Sequence, residues 1–231
     1  MTEAPAVNSS LQQRIRGGAI FGFVVMEGVF LGGRAFQVLM IIAASIGVFE
    51  WARMMRGERK YRVLYTFFGM VYIIFSCALM AWIRGSDGAG LYNILTLLFI
   101  VWASDISAYF AGRAIGGPKL APAISPKKTW AGFAGSSLGA ALVAAGLACP
   151  RLISEFGVFT VGDLSVLGYA LMGAVLAAIG QVGDLFISIF KRRYNVKDTG
   201  SLIPGHGGVL DRIDALMLVA VAFSLVVLWF K

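Results

Sequence analysis

Seven apolar runs, at residues 17–33, 35–52, 63–83, 91–112, 130–149, 165–190 and 214–230, take up most of this chain. Each is close to the roughly 17–25 residues that a helix needs to cross the hydrocarbon core of a bilayer. The fold class that follows is all-α, a polytopic integral membrane helical bundle of about seven transmembrane helices. A hydrophobic fraction of 58% with only 14% charged residues exceeds what a soluble domain carries, and so agrees. The first two runs are parted only around Arg34 and the sixth is long, so a broken or re-entrant segment would alter the count. No Pro/Gly/Ser-rich linker divides the chain, and we expect one membrane-embedded domain over residues 1–231 with a short polar cytoplasmic tail at 1–13. The run at 17–33 is too continuous with the next to read as a cleaved signal.

The basic residues are distributed unevenly between the two faces that this map defines. Sixteen of the twenty Lys and Arg fall in the N-terminal tail, the Arg53–Arg62 segment, the Arg113–Lys128 segment and the Lys191–Arg212 segment, all on one side. Arg34, Arg84, Arg151 and Lys231 fall opposite. The positive-inside rule then places the N-terminus and the last polar segment in the cytoplasm. The net charge of +8 reads as topology together with attraction to the anionic headgroups of the lipid bilayer. No aromatic-basic motif points to nucleic acid.

The polar chemistry gathers at 188–214, SIFKRRYNVKDTGSLIPGHGGVLDRID, which we expect to be an active-site loop between two apolar segments. Lys191, Arg192, Arg193, Lys197 and Arg212 supply charge and hydrogen bonds suited to phosphate oxygens. Asp198, Asp211 and Asp214 supply the hard oxygens that Mg2+ prefers, and Gly205, Gly207 and Gly208 allow close backbone approach. A plain basic loop with a glycine turn would account for the lysines and arginines, but not for His206 and the carboxylates in register with them. Two further carboxylates, Asp105 and Asp184, lie inside apolar runs, where an ionised group is costly and has a partner or a task. Asp184 precedes Lys191 by seven residues, about 10 Å along a continuous helix, and Asp105 stands similarly before Arg113. For Asp105 a buried interhelical salt bridge competes with a catalytic role.

The spacing S-x-x-K-R-x4-K-D-x-G-x5-H-G-G-x-x-D-R-x-D, followed without mismatch from Ser188 to Asp214, resembles the signature of phosphatidate cytidylyltransferases, also called CDP-diacylglycerol synthases. The resemblance implies that CTP and phosphatidic acid react to give CDP-diacylglycerol and pyrophosphate. It implies Mg2+ as cofactor, held by Asp184 of a Gly183-Asp184 pair and by Asp211. It also implies that Lys191, Arg192, Lys197 and Arg212 offset phosphate charge, with Asp198, His206 and Asp214 completing the catalytic set and Ser188, Gly207 and Gly208 contacting substrate. The local reading of Asp211 and Asp214 is a helix cap, and both readings can hold. His206 suits a phosphate contact, a proton transfer or a loop-structuring role better than Mg2+ ligation. On the same resemblance Asp211→Asn should abolish turnover and leave a folded protein.

A second stretch, SPKKTWAG from Ser125, resembles the family's S-P-K-K-T segment, with Ala131 where members commonly carry Glu. It implies that Asp105, Ser125, Lys127, Lys128 and Thr129 line the substrate site; without the resemblance, Pro126, Lys127 and Thr129 mark a helix start with a basic anchor. Glu27 and Glu50 receive no function, and Glu50 is expected to pair with the nearby Arg53–Arg62 cluster. Cys77 and Cys149 read as packing residues. The run GFAGSSLGAALVAAG suits close helix packing, including a homodimer contact. The expected location is the inner (cytoplasmic) membrane of a bacterium, the site facing the cytoplasm. Two other functions fit less well: a CTP-dependent kinase or transferase acting on another membrane lipid, and an ion-coupled transporter using Asp105 and Asp184.

Overall fold

The computed structural model describes residues 7–57, 60–86, 88–148 and 164–229. Seven helices run through them: α1 (Val7–Leu31), α2 (Gly33–Met54), α3 (Arg62–Gly85), α4 (Gly90–Ala114), α5 (Trp130–Leu147), α6 (Val166–Arg193) and α7 (Leu210–Trp229). The six from α2 to α7 are long and apolar enough to cross a membrane, and the chain is an integral membrane protein. Its outward faces carry large exposed apolar side chains such as Phe67, Phe68, Leu142 and Leu225, a surface suited to lipid contact. α1 is already helical from Val7, which shortens the polar tail expected over residues 1–13; residues 1–6, Cys149, Arg151 and Lys231 lie outside the described residues.

One departure from an all-helical chain follows α4. Gly116 and Gly117 adopt φ of 68° and 86°, a left-handed path that turns the backbone out of the helix. The chain then forms an antiparallel hairpin, β1 (Lys119–Ala121) and β2 (Ser125–Thr129), with Lys119 opposite Thr129 and Ala121 opposite Ser125. Strands of this length give no periodic signal, so the hairpin was expected only as a basic segment ahead of a helix. That helix start holds: Thr129 Oγ1 accepts from Gly132 N at 3.0 Å and caps α5.

α5 packs between α4 and α6. Its small residues permit this, since a Cβ on Gly135 or Gly139 would collide with Ala111 or Ser107 of α4, and one on Gly173 of α6 would stand 2.6 Å from Ala140 O. The small-residue run is thus taken up inside the chain. On the other flank Trp51 of α2 sits edge-on to Phe190 of α6 at 4.9 Å, lies against Gly69 of α3 and donates to Tyr65 O at 3.2 Å.

These seams bring the C-terminal ends of α2, α4 and α6, the hairpin and the start of α7 to one end of the bundle. Arg192 Nε donates to Ile124 O at 3.0 Å, which ties α6 to the hairpin turn. At the opposite end Arg84 Nε donates to Val29 O at 2.7 Å and its guanidinium fills the space beside Gly32. The polar stretch at 188–214 is only partly loop: α6 continues through Arg193 and α7 begins at Leu210, leaving residues 194–209 between them.

Candidate active site

A cavity of about 380 Å³ opens among α4, β2, the first turn of α5 and α6, lined by Asp105, Tyr109, Arg113, Lys127, Lys128, Gln181 and Asp184. It joins the SPKK segment to the Gly183-Asp184 pair, and the Ser188–Asp214 stretch adjoins it through Ser188. Lys128 Nζ stands 2.6 Å from Asp184 Oδ2, and Ser188 Oγ donates to Asp184 Oδ1 at 3.1 Å. Lys128 has three ammonium donors and Asp184 as its one ion-pair partner among the described residues, so donors remain free. Such a group suits an incoming phosphate oxygen. Arg113 Nη1 donates to the Tyr109 hydroxyl at 2.8 Å, which holds a second cation at the rim. Gly183 allows α7 to approach, since a Cβ there would lie 3.0 Å from Asp214 O. Asp184 is near enough to Asp105 and to Asp214 for their negative charges to act on one another.

Beside this cavity, residues 194–209 fold back onto the start of α7. Asp211 Oδ1 pairs with Lys191 Nζ at 2.9 Å, both side chains nearly buried. Its Oδ2 accepts from Thr199 N at 2.8 Å, Thr199 Oγ1 at 3.0 Å and Gly208 N at 3.1 Å. Asp211 therefore does not cap α7 from within, as the local reading has it; it reaches back three residues to Gly208 and across to Thr199. The capping is supplied by Glu50 of α2, whose Oε1 accepts from Val209 N at 3.0 Å and whose Oε2 accepts from Leu210 N at 2.9 Å. The expectation that Glu50 pairs with the Arg53–Arg62 cluster is thus corrected. Both of its oxygens are occupied by the signature segment, where the free amides at a helix start favour negative charge.

The remaining expected residues are placed as follows. Lys127 is exposed at the cavity, while Thr129 is buried as a cap. Arg192, Lys197 and Asp198 are exposed, Arg192 against the hairpin and the other two on the 194–209 segment. His206 packs its ring over Gly17 and Gly18 of α1, and its backbone N donates to Ile203 O at 2.9 Å in a tight turn. Gly205, at φ 76°, makes that turn, Gly207 follows it at φ 84°, and Gly208 lies under Glu50. Asp214 accepts from Ala215 N at 2.8 Å. Arg212 is exposed and edges an apolar cavity of about 190 Å³ among α1, α2, α3, α4 and α7. Among the described residues no three His, Cys, Asp or Glu side chains form a ready metal cage. Glu50, Thr199 and Gln181 were missed from sequence; Thr199 sits at the unspecified position of K-D-x-G and Glu50 lies far away in the chain.

This is a helical membrane protein that gathers carboxylates, ammonium and guanidinium groups at one end, beside an apolar recess, a donor set suited to phosphate groups. Comparison with known proteins narrows this. The chain belongs to the cytidylyltransferase family, whose model matches residues 57–230. It is 45% identical over 152 residues to a phosphatidate cytidylyltransferase of Brucella abortus biovar 1, covering 66% of this chain and 53% of that protein. It is 36% identical over 217 residues to a phosphatidate cytidylyltransferase of Rickettsia bellii, covering 92% and 88%, and 33% identical over 210 residues to that of Rickettsia typhi, covering 91% and 89%. The chain thus spans about half the length of the Brucella relatives it matches and nearly all of the Rickettsia ones.

Proposed function

We propose that the chain transfers cytidylate from CTP to phosphatidic acid, forming CDP-diacylglycerol and pyrophosphate. The observation that carries this reading is the Lys128–Asp184 pair at 2.6 Å, which joins the SPKK and Gly-Asp motifs in one cavity; the names of the relatives supply the substrates. An oxygen of the lipid phosphate attacks the α-phosphorus of CTP, the bond from that phosphorus to the bridging oxygen breaks, and pyrophosphate leaves with the electron pair. No protein nucleophile is required, because the lipid phosphate is already ionised at neutral pH. The protein's task is positioning and charge compensation.

Lys127 and Lys128 face the cavity and meet phosphate oxygens there, and Arg113 extends the positive rim. Lys191 holds Asp211, while Arg212 offers a guanidinium to the lipid phosphate at the mouth of the apolar recess, which accommodates part of an acyl chain. Arg192, Lys197, Asp198, Asp214 and His206 keep the supporting parts assigned to them by resemblance. Mg2+ fits the donor chemistry: Asp184 and Asp211 are hard oxygen donors, each already facing a cationic ammonium that stands where a metal charge would. Mg2+ commonly rests on one or two carboxylates plus substrate phosphates, so a three-residue cage is not required. When bound it would neutralise charge on the phosphates. Asp105, electrostatically linked to Asp184, completes the acidic wall.

The location that supports this chemistry is a bacterial inner membrane with the cavity on the cytoplasmic face, where nucleotides are found. A homodimer would use the outward helix faces, since the small residues of α5 are taken up against α4 and α6. The test is direct. Purified chain in detergent, given CTP, phosphatidic acid and Mg2+, should release pyrophosphate and form lipid-linked CMP. Asp184→Asn and EDTA should each remove both products, and folded protein that makes neither would refute the reading.

A further inference from the structure

Glu50 is 4% exposed, and a carboxylate so placed is retained only where its charge is met. The structure meets it with two amide donors from the signature segment, Val209 N and Leu210 N, and with a share in the Thr199 hydroxyl at 3.0 Å. A cradle surrounds it, because a Cβ on either Gly200 or Gly208 would collide with the carboxylate. The same Thr199 hydroxyl is 3.0 Å from Asp211 Oδ2, and Thr199 N and Gly208 N reach that oxygen as well. Glu50 and Asp211 therefore share one scaffold, bridged by a hydroxyl with a single proton to give. Asp211 in turn fixes Lys191 at 2.9 Å. Glu50 also lies before residue 57, outside the part of the chain that the family model matches.

We propose that Glu50 is a positioning residue for the nucleotidyl-transfer site: from α2 it fixes Thr199 and the first amides of α7, and through them the orientation of the Asp211 carboxylate and Lys191. The inference rests on the function proposed above for that site. Only a carboxylate fits the cradle. A glutamine has the same shape but turns an N–H2 donor toward one of the donors that Glu50 accepts from, so at least one buried N–H loses its partner.

The test compares wild type with Glu50→Gln and Thr199→Val, all as full-length protein in the same detergent. Hydrogen exchange needs no substrate. In Glu50→Gln the amides of residues 199–210 should exchange at least about tenfold faster while those of α4 and α5 stay unchanged. Turnover titrated with Mg2+ supplies a readout that a merely structural role would not move. Glu50→Gln and Thr199→Val should each lower kcat by about 10–100-fold or raise the Mg2+ needed for half-maximal rate, with the KM for phosphatidic acid unchanged. The double variant should be no worse than the poorer single one, since both cut one chain of contacts. Wild-type exchange and wild-type Mg2+ dependence in Glu50→Gln would overturn the proposal. Should Glu50→Gln fail to fold, Thr199→Val decides, and wild-type kcat and Mg2+ dependence there would reduce Glu50 to a structural part. A wild-type chain that makes no lipid-linked CMP would sink the functional reading, and the exchange comparison would still decide on Glu50.

Discussion

Two lysine–carboxylate pairs stand a few turns apart, and their surroundings give them different jobs. In Lys128–Asp184 the side chains are 18% and 33% exposed, inside a water-accessible cavity. Pairs of this kind contribute about 0–1 kcal/mol, so their use lies in presenting charge. Lys128→Ala should shift the thermal midpoint little while lowering kcat/KM about tenfold or more, as steady-state assays and a melting curve on one preparation would show. In Lys191–Asp211 the side chains are 10% and 4% exposed, and removing one partner of a buried pair costs about 3–5 kcal/mol. Asp211 also accepts from Thr199 N and Gly208 N, and shares the single Thr199 hydroxyl proton with Glu50. The sequence suggested Asp211→Asn as the variant that loses activity and keeps its fold; because Asp211 is in a nearly buried pair, we propose Asp184→Asn as the better variant for that test. Asp211→Asn should unfold at clearly lower temperature than Asp184→Asn, and equal melting temperatures would count against a structural duty for Asp211.

Helix seams set the width of the site, and glycines set the seams. α6 and α7 meet at Gly183, where a Cβ would lie 3.0 Å from Asp214 O and 3.1 Å from the Leu218 side chain. Gly183→Val should overpack this contact by about 1–3 kcal/mol, whereas Gly22→Ala, where nothing lies within 4 Å, should be neutral. Thermal unfolding of the two side by side measures the difference, and equal midpoints would mean that the seam yields freely. Six of the seven expected spans were legible, because a long apolar run is a strong signal, while 17–33 falls mainly in α1, which is not among the helices long and apolar enough to cross; Thr129 was legible as a cap from its place before an apolar run. The hairpin was not, because strands of three and five residues leave no period to read. The capping of α7 was not either: its acceptor is Glu50, about 160 residues earlier, while the local candidates are Asp211, whose oxygens reach back to Gly208 and Thr199, and Asp214, which accepts from Ala215 N. The two motifs were each readable, but their meeting at Lys128–Asp184 is a product of α5 packing between α4 and α6.

Across the described bundle the residues proposed for catalysis gather at one end, and the length of α6 contributes to this. Its 28 residues rise about 42 Å, more than the roughly 30 Å of a hydrocarbon core, so about two turns project beyond the apolar slab. Asp184 lies about 27 Å along from Val166, near the boundary, with Ser188 and Lys191 above it. A nucleotide from water and a phosphate from the lipid headgroup layer can meet at that depth. We propose that this end faces the cytoplasm, because the positive-inside rule favours the side that carries most of the Lys and Arg, with Arg34 and Arg84 at the other. A labelling experiment decides the orientation. In a Cys149→Ser background, where Cys77 is buried at 2%, Ser201→Cys sits at an exposed position of the 194–209 segment and Arg34→Cys at an exposed position in the first turn of α2. A membrane-impermeant maleimide should label Arg34→Cys in right-side-out spheroplasts and Ser201→Cys only in inverted vesicles. The reverse pattern would place the cavity away from the nucleotide pool and remove the physical basis for cytidylyl transfer at this site.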